Sequence, residues 1–279
     1  MSLALAHRAS KTSPASLGAW ASACLRAELE TYPKPGLVSH RDCGAHRDMD
    51  ASLLRLSATT LEPFFADLAA AGAAHAEMDD LRRIGIAAEK AMLRATGGVN
   101  THRGAIFGLG LLCAAAGLRQ RLGLNGRLGD IVTQRWGRAI GAATPNAASN
   151  GAVAGRRFRV GGARAEAAAG FPSVYAIALP ALRSAHRMAP DDAEAARVQT
   201  CLALIAQLDD TNLLHRGGAA GLAFAQDAAT GFLAAGGIAA PDWLMRVAAI
   251  HADFVTRNLS PGGAADLLAM ALFLEPLEA

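Results

Sequence analysis

The chain is poor in the residues that build sheets. Aromatics make up 5% of its 279 residues, and Val, Ile and Thr are sparse. Strands draw on β-branched and aromatic side chains, so a β-rich fold is disfavoured. Cysteine is scarce as well. Cys24, Cys43, Cys113 and Cys201 lie far apart and form no C-x-x-C pair. Reduced structural thiols in a cytoplasmic protein are expected. Long apolar runs are missing. The longest, near Gly104–Leu118, falls short of the roughly 20 residues of a spanning helix. Arg8 and Lys11 introduce no continuous apolar segment, so neither a signal peptide nor a membrane partner is expected.

Lysine is the scarcest cation. Lys11, Lys34 and Lys90 stand against 24 arginines. The net charge of +3 is too mild for nucleic-acid binding, and no basic run interleaves with aromatics. A lysine kept in a tight turn, as Lys34 is, stands out. Small anionic ligands suit this balance.

Alanine, leucine and glycine dominate. They favour helices packed closely through small side chains. Ser13 before Pro14 reads as a helix start running to Glu30. Tyr32-Pro33-Lys34-Pro35-Gly36 breaks that helix. Asp48 or Asp50 caps a helix through Thr60, and Leu61-Glu62-Pro63 begins another to Gly72. Helices follow at Asp79–Arg94, ended by Gly97-Gly98, then Arg103–Arg121 and Leu128–Ala142. Thr144–Gly162 reads as irregular. Further helices cover Ala163–Ala169, Pro172–Met188, Asp191–Asp209, Ala219–Ala235 and Asp242–Asn258, with a last one after Gly263. The expectation is one all-α domain over residues 1–279, with about ten helices.

Five polar clusters interrupt this background. In Pro33-Lys34-Pro35-Gly36 a rigid turn can fix an ammonium near a phosphate, or simply join two helices. In Gly44-Ala45-His46-Arg47-Asp48-Met49-Asp50 the carboxylates can ligate a hard cation, or cap a helix. Gly97-Gly98-Val99-Asn100-Thr101-His102-Arg103-Gly104 places an imidazole and a guanidinium at a helix start, which makes an anion site. The alternative is a polar corner. Asp209-Asp210-Thr211-Asn212, with Arg216-Gly217-Gly218, puts adjacent carboxylates at what reads as a helix C-terminus. That opposes the helix dipole and asks for a metal or Arg216 as compensation; a solvated loop is the alternative. Asn258-Leu259-Ser260-Pro261-Gly262-Gly263, with Asp266 one turn on, offers a nest for phosphate or metal, or a plain helix start. Glu166 is a further candidate general base or an exposed glutamate. No Ser-His-Asp signature and no phosphate-binding Gly-Lys loop is present.

In this order, and with Leu37-Val38 extending the first motif and Ala264 to Ala269 the last, these stretches resemble the triphosphoribosyl-dephospho-CoA synthases. The resemblance spans Glu28 to the C-terminal helix. Gly-Gly-Val-Asn-Thr-His-Arg-Gly is most similar to the branch serving malonate decarboxylase; the citrate lyase branch more often has lysine where Arg103 stands. The resemblance implies that ATP and 3′-dephospho-CoA give 2′-(5″-triphosphoribosyl)-3′-dephospho-CoA and adenine, with Mg²⁺. The product is the prosthetic-group precursor of an acyl carrier protein subunit, attached by a downstream phosphoribosyl-dephospho-CoA transferase. It further implies Asp48 and Asp210 on metal or ribose, and Glu28 or Glu166 as base. Lys34, His46, Asn100, Thr101, His102, Arg103, Arg216, Ser260, Gly262 and Gly263 would bind the nucleotide. Asp50, Asp209 and Asp266 join Asp48 and Asp210 as metal candidates. A homo-oligomer is compatible with the sequence. The rival readings are an Mg²⁺-dependent all-α nucleotide glycohydrolase resembling the ADP-ribosylglycohydrolases, and a non-catalytic helical docking protein.

Overall fold

The computed structural model describes residues 13–143 and 150–278. Among them it is all-α. The elements are α1 (Pro14–Leu29), α2 (Ala51–Ala73), α3 (Met78–Ala95), α4 (Arg103–Leu122), α5 (Leu128–Val132), α6 (Arg138–Ala142), α7 (Asn150–Phe158), α8 (Gly162–Ala168), α9 (Leu179–Met188), α10 (Ala193–Gln207), α11 (Thr211–Ala234), α12 (Trp243–Thr256) and α13 (Gly262–Leu274). One turn of π-helix joins α5 to α6, and another leads into α9. The expected helices 128–142 and 172–188 are therefore each continuous.

Local chemistry sets the ends. The Ser13 hydroxyl accepts from the Ser16 amide at 3.2 Å, with Pro14 in the first turn. Asp50, not Asp48, caps α2, accepting from the Leu53 amide at 2.9 Å. The two helices expected across Leu61-Glu62-Pro63 are one. Pro63 is exposed, so water can reach the carbonyl its missing N–H leaves free, while buried Leu61 and Phe65 hold the strip inward. The region read as irregular contains α7; residues 144–149 lie outside the described residues.

The core is built around α4. Its residues from Leu109 to Ala115 are almost all fully buried. Contrary to the expectation of too short a run, α4 is long and apolar enough to cross a membrane, but 72% of that window is covered by the fold itself. Packing is close because the contact positions lack side chains. A Cβ on Gly72 would overlap the backbone of Ala114, and one on Gly117 that of Ala69, so α2 lies backbone-to-backbone on α4. On its other side α4 meets α13, where Gly108 receives the methyl end of Met270. The starts of α4 and α13 are thereby brought beside each other. The start of α11 joins them through Asp210.

Candidate active site

Three helix N-termini, those of α4, α11 and α13, converge with the turn after α1. The turn is pinned from three sides. The Tyr32 amide donates to Glu194 at 2.9 Å, Arg197 to the Thr31 hydroxyl at 2.7 Å, and His251 Nδ1 to the Lys34 carbonyl at 2.8 Å. The Tyr32–Pro33 peptide is cis. Lys34 is fully buried, and its ammonium is ion-paired with Glu28. It is thus ion-paired inside the protein, which excludes the alternative of a plain interhelix turn with a solvated lysine.

Asp210 is the keystone between α11 and α13. It sits at the N-cap of α11, not at a helix C-terminus. The helix dipole and amides therefore favour its charge, and no compensating metal is needed. Its Oδ1 accepts from the Asn212 amide at 2.7 Å, and its Oδ2 from the Ala264 amide at 3.0 Å. Burial pushes its carboxyl up, and these amides pull it back. Gly262 and Gly263 are not an open nest. Added Cβ atoms would lie 2.8 Å from Asn212 Nδ2 and 2.9 Å from Asp210 Oδ2.

Asp266 lies across the start of α4. Its carboxylate rests where a Cβ of residue 104 would stand, and the Ala105 amide supports its charged form. Burial first, then the negative charges of Glu28 and Asp210, push its pKa up to about 8. The charges of Glu28 and Asp210 thus bear on Asp266 to make an acidic centre, with the buried cation Lys34 paired to Glu28. Cys201 lies within the same field.

His102, the N-cap of α4, is buried and holds Ser57 Oγ at 2.7 Å through Nδ1. Burial and the Lys34 charge lower its pKa to about 4. It is neutral at pH 7, so it can meet a ligand as a hydrogen-bond partner and not as a cation. A second, more open cluster lies at the loop leading into α13. His46 Nε2 pairs with Ser260 Oγ at 2.9 Å, and Asp48 faces His46 Nδ1 at 3.5 Å. Arg216 reaches the Ala45 carbonyl at 2.9 Å and Asn258 Oδ1 at 3.0 Å. Burial and Arg216 hold His46 below its ordinary pKa.

Other expected residues are placed elsewhere. Asp50 is exposed and caps α2; Asp209 is exposed beside the buried Asp210. Glu166 accepts from the Ser173 amide at 2.7 Å and its hydroxyl at 3.0 Å, holding the helix at 172–188. Asn100 accepts from the Arg103 amide at 3.2 Å, and Arg103 pairs with Glu89 on α3. The five carboxylates read as metal ligands are not gathered: among the described residues no three His, Cys, Asp or Glu side chains are grouped to hold an ion. The polar network also includes Ser57 and His251, which carry no sequence signal. Each sits in an unremarkable helical stretch and gains meaning only from a distant partner.

The fold and site define an all-α enzyme with a buried carboxylate centre at converging helix N-termini. The family model for ATP:dephospho-CoA triphosphoribosyl transferases matches residues 14–279. A probable 2-(5″-triphosphoribosyl)-3′-dephosphocoenzyme-A synthase of Pseudomonas aeruginosa is 44% identical over 260 residues, covering 90% of this chain and 87% of the relative. The Pectobacterium atrosepticum synthase is 44% identical over 270 residues (90% and 85% covered), and that of Klebsiella pneumoniae 40% identical over 259 (91% and 92%). No solved structure matches. The chain belongs to the ATP:dephospho-CoA triphosphoribosyl transferase family and is a transferase.

Proposed function

We propose that the protein moves the 5-triphosphoribosyl group of ATP onto the ribose 2′-hydroxyl of 3′-dephospho-CoA and releases adenine. The observation that carries this reading is the acidic centre itself. Displacement of adenine at C1′ passes through oxocarbenium-like charge, and buried carboxylates stabilise such charge far better than solvated ones. Asp266 is the base we assign for the attacking hydroxyl, because a carboxyl with a pKa of about 8 is matched to accepting a proton near neutral pH. It replaces Glu28, which pairs with Lys34, and Glu166, which caps a helix. Arg216, His46 and Ser260 form the more open face suited to phosphates.

Mg²⁺ is part of the proposal only as the companion of the triphosphate. Among the described residues no three carboxylate, imidazole or thiol side chains form a cage, and a magnesium ion bound to phosphates and water needs one or two carboxylates. Asp48, exposed beside His46, fits that demand; the ion would neutralise phosphate charge. Asp210, with both oxygens bonded to backbone amides, fits it poorly. We further propose a cytoplasmic enzyme whose product passes to a phosphoribosyl-dephospho-CoA transferase and an acyl carrier protein, that of malonate decarboxylase in preference to citrate lyase. Arg103, in the Gly-Gly-Val-Asn-Thr-His-Arg-Gly form, supports the branch.

Adenine release measured with ATP and Mg²⁺, with and without 3′-dephospho-CoA, tests the reaction. Release only with the acceptor is expected. Equal release without it would mean hydrolysis and reject transfer. Asp266→Asn is expected to lower kcat by at least roughly 100-fold, the scale of a lost general base. In the wild type, kcat/KM should rise with pH up to about 8 as Asp266 loses its proton.

A further inference from the structure

The least expected arrangement at the site is a chain of hydroxyls ending on His102. Thr101 Oγ1 donates to Ser57 Oγ at 2.7 Å, and Ser57 Oγ lies 2.7 Å from His102 Nδ1. Ser57 is fully buried on α2, 45 residues away in sequence. A hydroxyl has one proton. Its oxygen receives the Thr101 proton, and among the described residues His102 Nδ1 is the one acceptor within reach of Ser57's own proton. A neutral imidazole that accepts at Nδ1 carries its hydrogen on Nε2. We propose that Thr101 and Ser57 are positioning residues that hold His102 as a neutral Nε2–H donor, and that this donor serves the ring nitrogens of the departing adenine.

This rests on the reaction proposed above. His102 is the N-cap of α4, and two residues on, Gly104 meets the Asp266 carboxylate. Donor and base therefore flank a single turn. Adenine leaves with the electron pair of the broken C1′–N9 bond, and its negative charge spreads over the ring. The new bond is C1′–O2′. The hydroxyl proton goes to Asp266 and reaches adenine through solvent. His102 keeps its own proton and lends only a hydrogen bond. A neutral donor suits this position. It stays protonated at Nε2 across the working pH range, and it does not add a second cation beside Lys34 and the developing positive charge on the sugar.

Long-range ¹H–¹⁵N spectra of the full-length protein test the relay without substrate. His102 is assigned by its loss in His102→Gln. The expected spectrum is the neutral Nε2–H form at pH 7, persisting at pH 5.5; Thr101→Val and Ser57→Ala should each shift it away from that form. An Nδ1–H ring or an imidazolium in the wild type at pH 7 would overturn the relay. Kinetics test the donor role. His102→Gln and Ser57→Ala should lower kcat roughly 10- to 100-fold, as for a lost transition-state donor, with the KM for ATP within about threefold. A raised KM at unchanged kcat would instead assign His102 to phosphate binding and reject the role. If the wild type releases no adenine, the reaction and the donor role fall together, and the spectrum still decides the tautomer.

Discussion

Gly104 shows how one missing side chain can shape the proposed catalytic centre. The Asp266 carboxylate occupies the space a Cβ would take. Gly104→Ala must therefore push Asp266 off the start of α4. It should cost about 1–3 kcal/mol of stability, the usual range for overpacking, and roughly 100-fold in kcat, since a misplaced base is a weak one. Melting and steady-state kinetics would separate the two, and near wild-type kcat would argue against Asp266 as base. His102 makes a different demand on pH. Its pKa is near 6.5 when unfolded and about 4 in the fold. The lowered value means the unfolded state binds the extra proton first. The stability it contributes is complete above pH 6.5 and is lost as pH falls towards 4, by about 3 kcal/mol. His102→Gln should flatten denaturant midpoints across that window. An unchanged slope would show that His102 titrates normally.

Between residues and the whole lies the kink in α11. Gly218 sits at φ 63°, ψ −163°, a conformation essentially reserved for glycine. The break separates the turn carrying Asp210 and Arg216 from the long remainder of the helix. It lets Arg216 reach back to Ala45 and Asn258 while the rest packs on α10. Gly218→Ala is expected to destabilise by about 1–3 kcal/mol and, on the phosphate role proposed for Arg216, to weaken ATP binding several-fold; calorimetry with ATP reads the second effect. Elements also account for what was misread from sequence. Pro63 looks like a helix start, and Asp209-Asp210 like a helix end. Both readings used neighbours in sequence alone. Burial of Leu61 and Phe65 carries α2 through the proline, and the backbone amides of α11 and α13 claim Asp210.

At the scale of the molecule, the small residues of α1, α2 and α4 set the architecture. Where Gly117 meets Ala69, backbones touch and no side chain can enter. Gly117→Ala should lower stability by about 1–3 kcal/mol. Gly231→Ala, on the exposed flank of α11 with nothing within 4 Å, should raise it by about 0.5–1 kcal/mol through lost chain entropy. Thermal melts of the pair would check the contrast; equal effects would mean that contact does not limit the packing.

The all-α class, the caps at Ser13 and Gly97-Gly98, and the polar stretches that build the site were legible in the chain. They rest on short-range chemistry: alanine-rich periodicity, turn glycines, and polar groups clustered where helices begin. The tertiary structure alone decided which of those polar groups face one another. It buried Lys34 against Glu28, made His102 neutral beside it, turned Asp210 into a clasp and raised the Asp266 pKa to about 8. Charge state and proton position depend on burial and on partners tens to hundreds of residues away. Those are set only when α1, α2, α4, α11 and α13 close on one another.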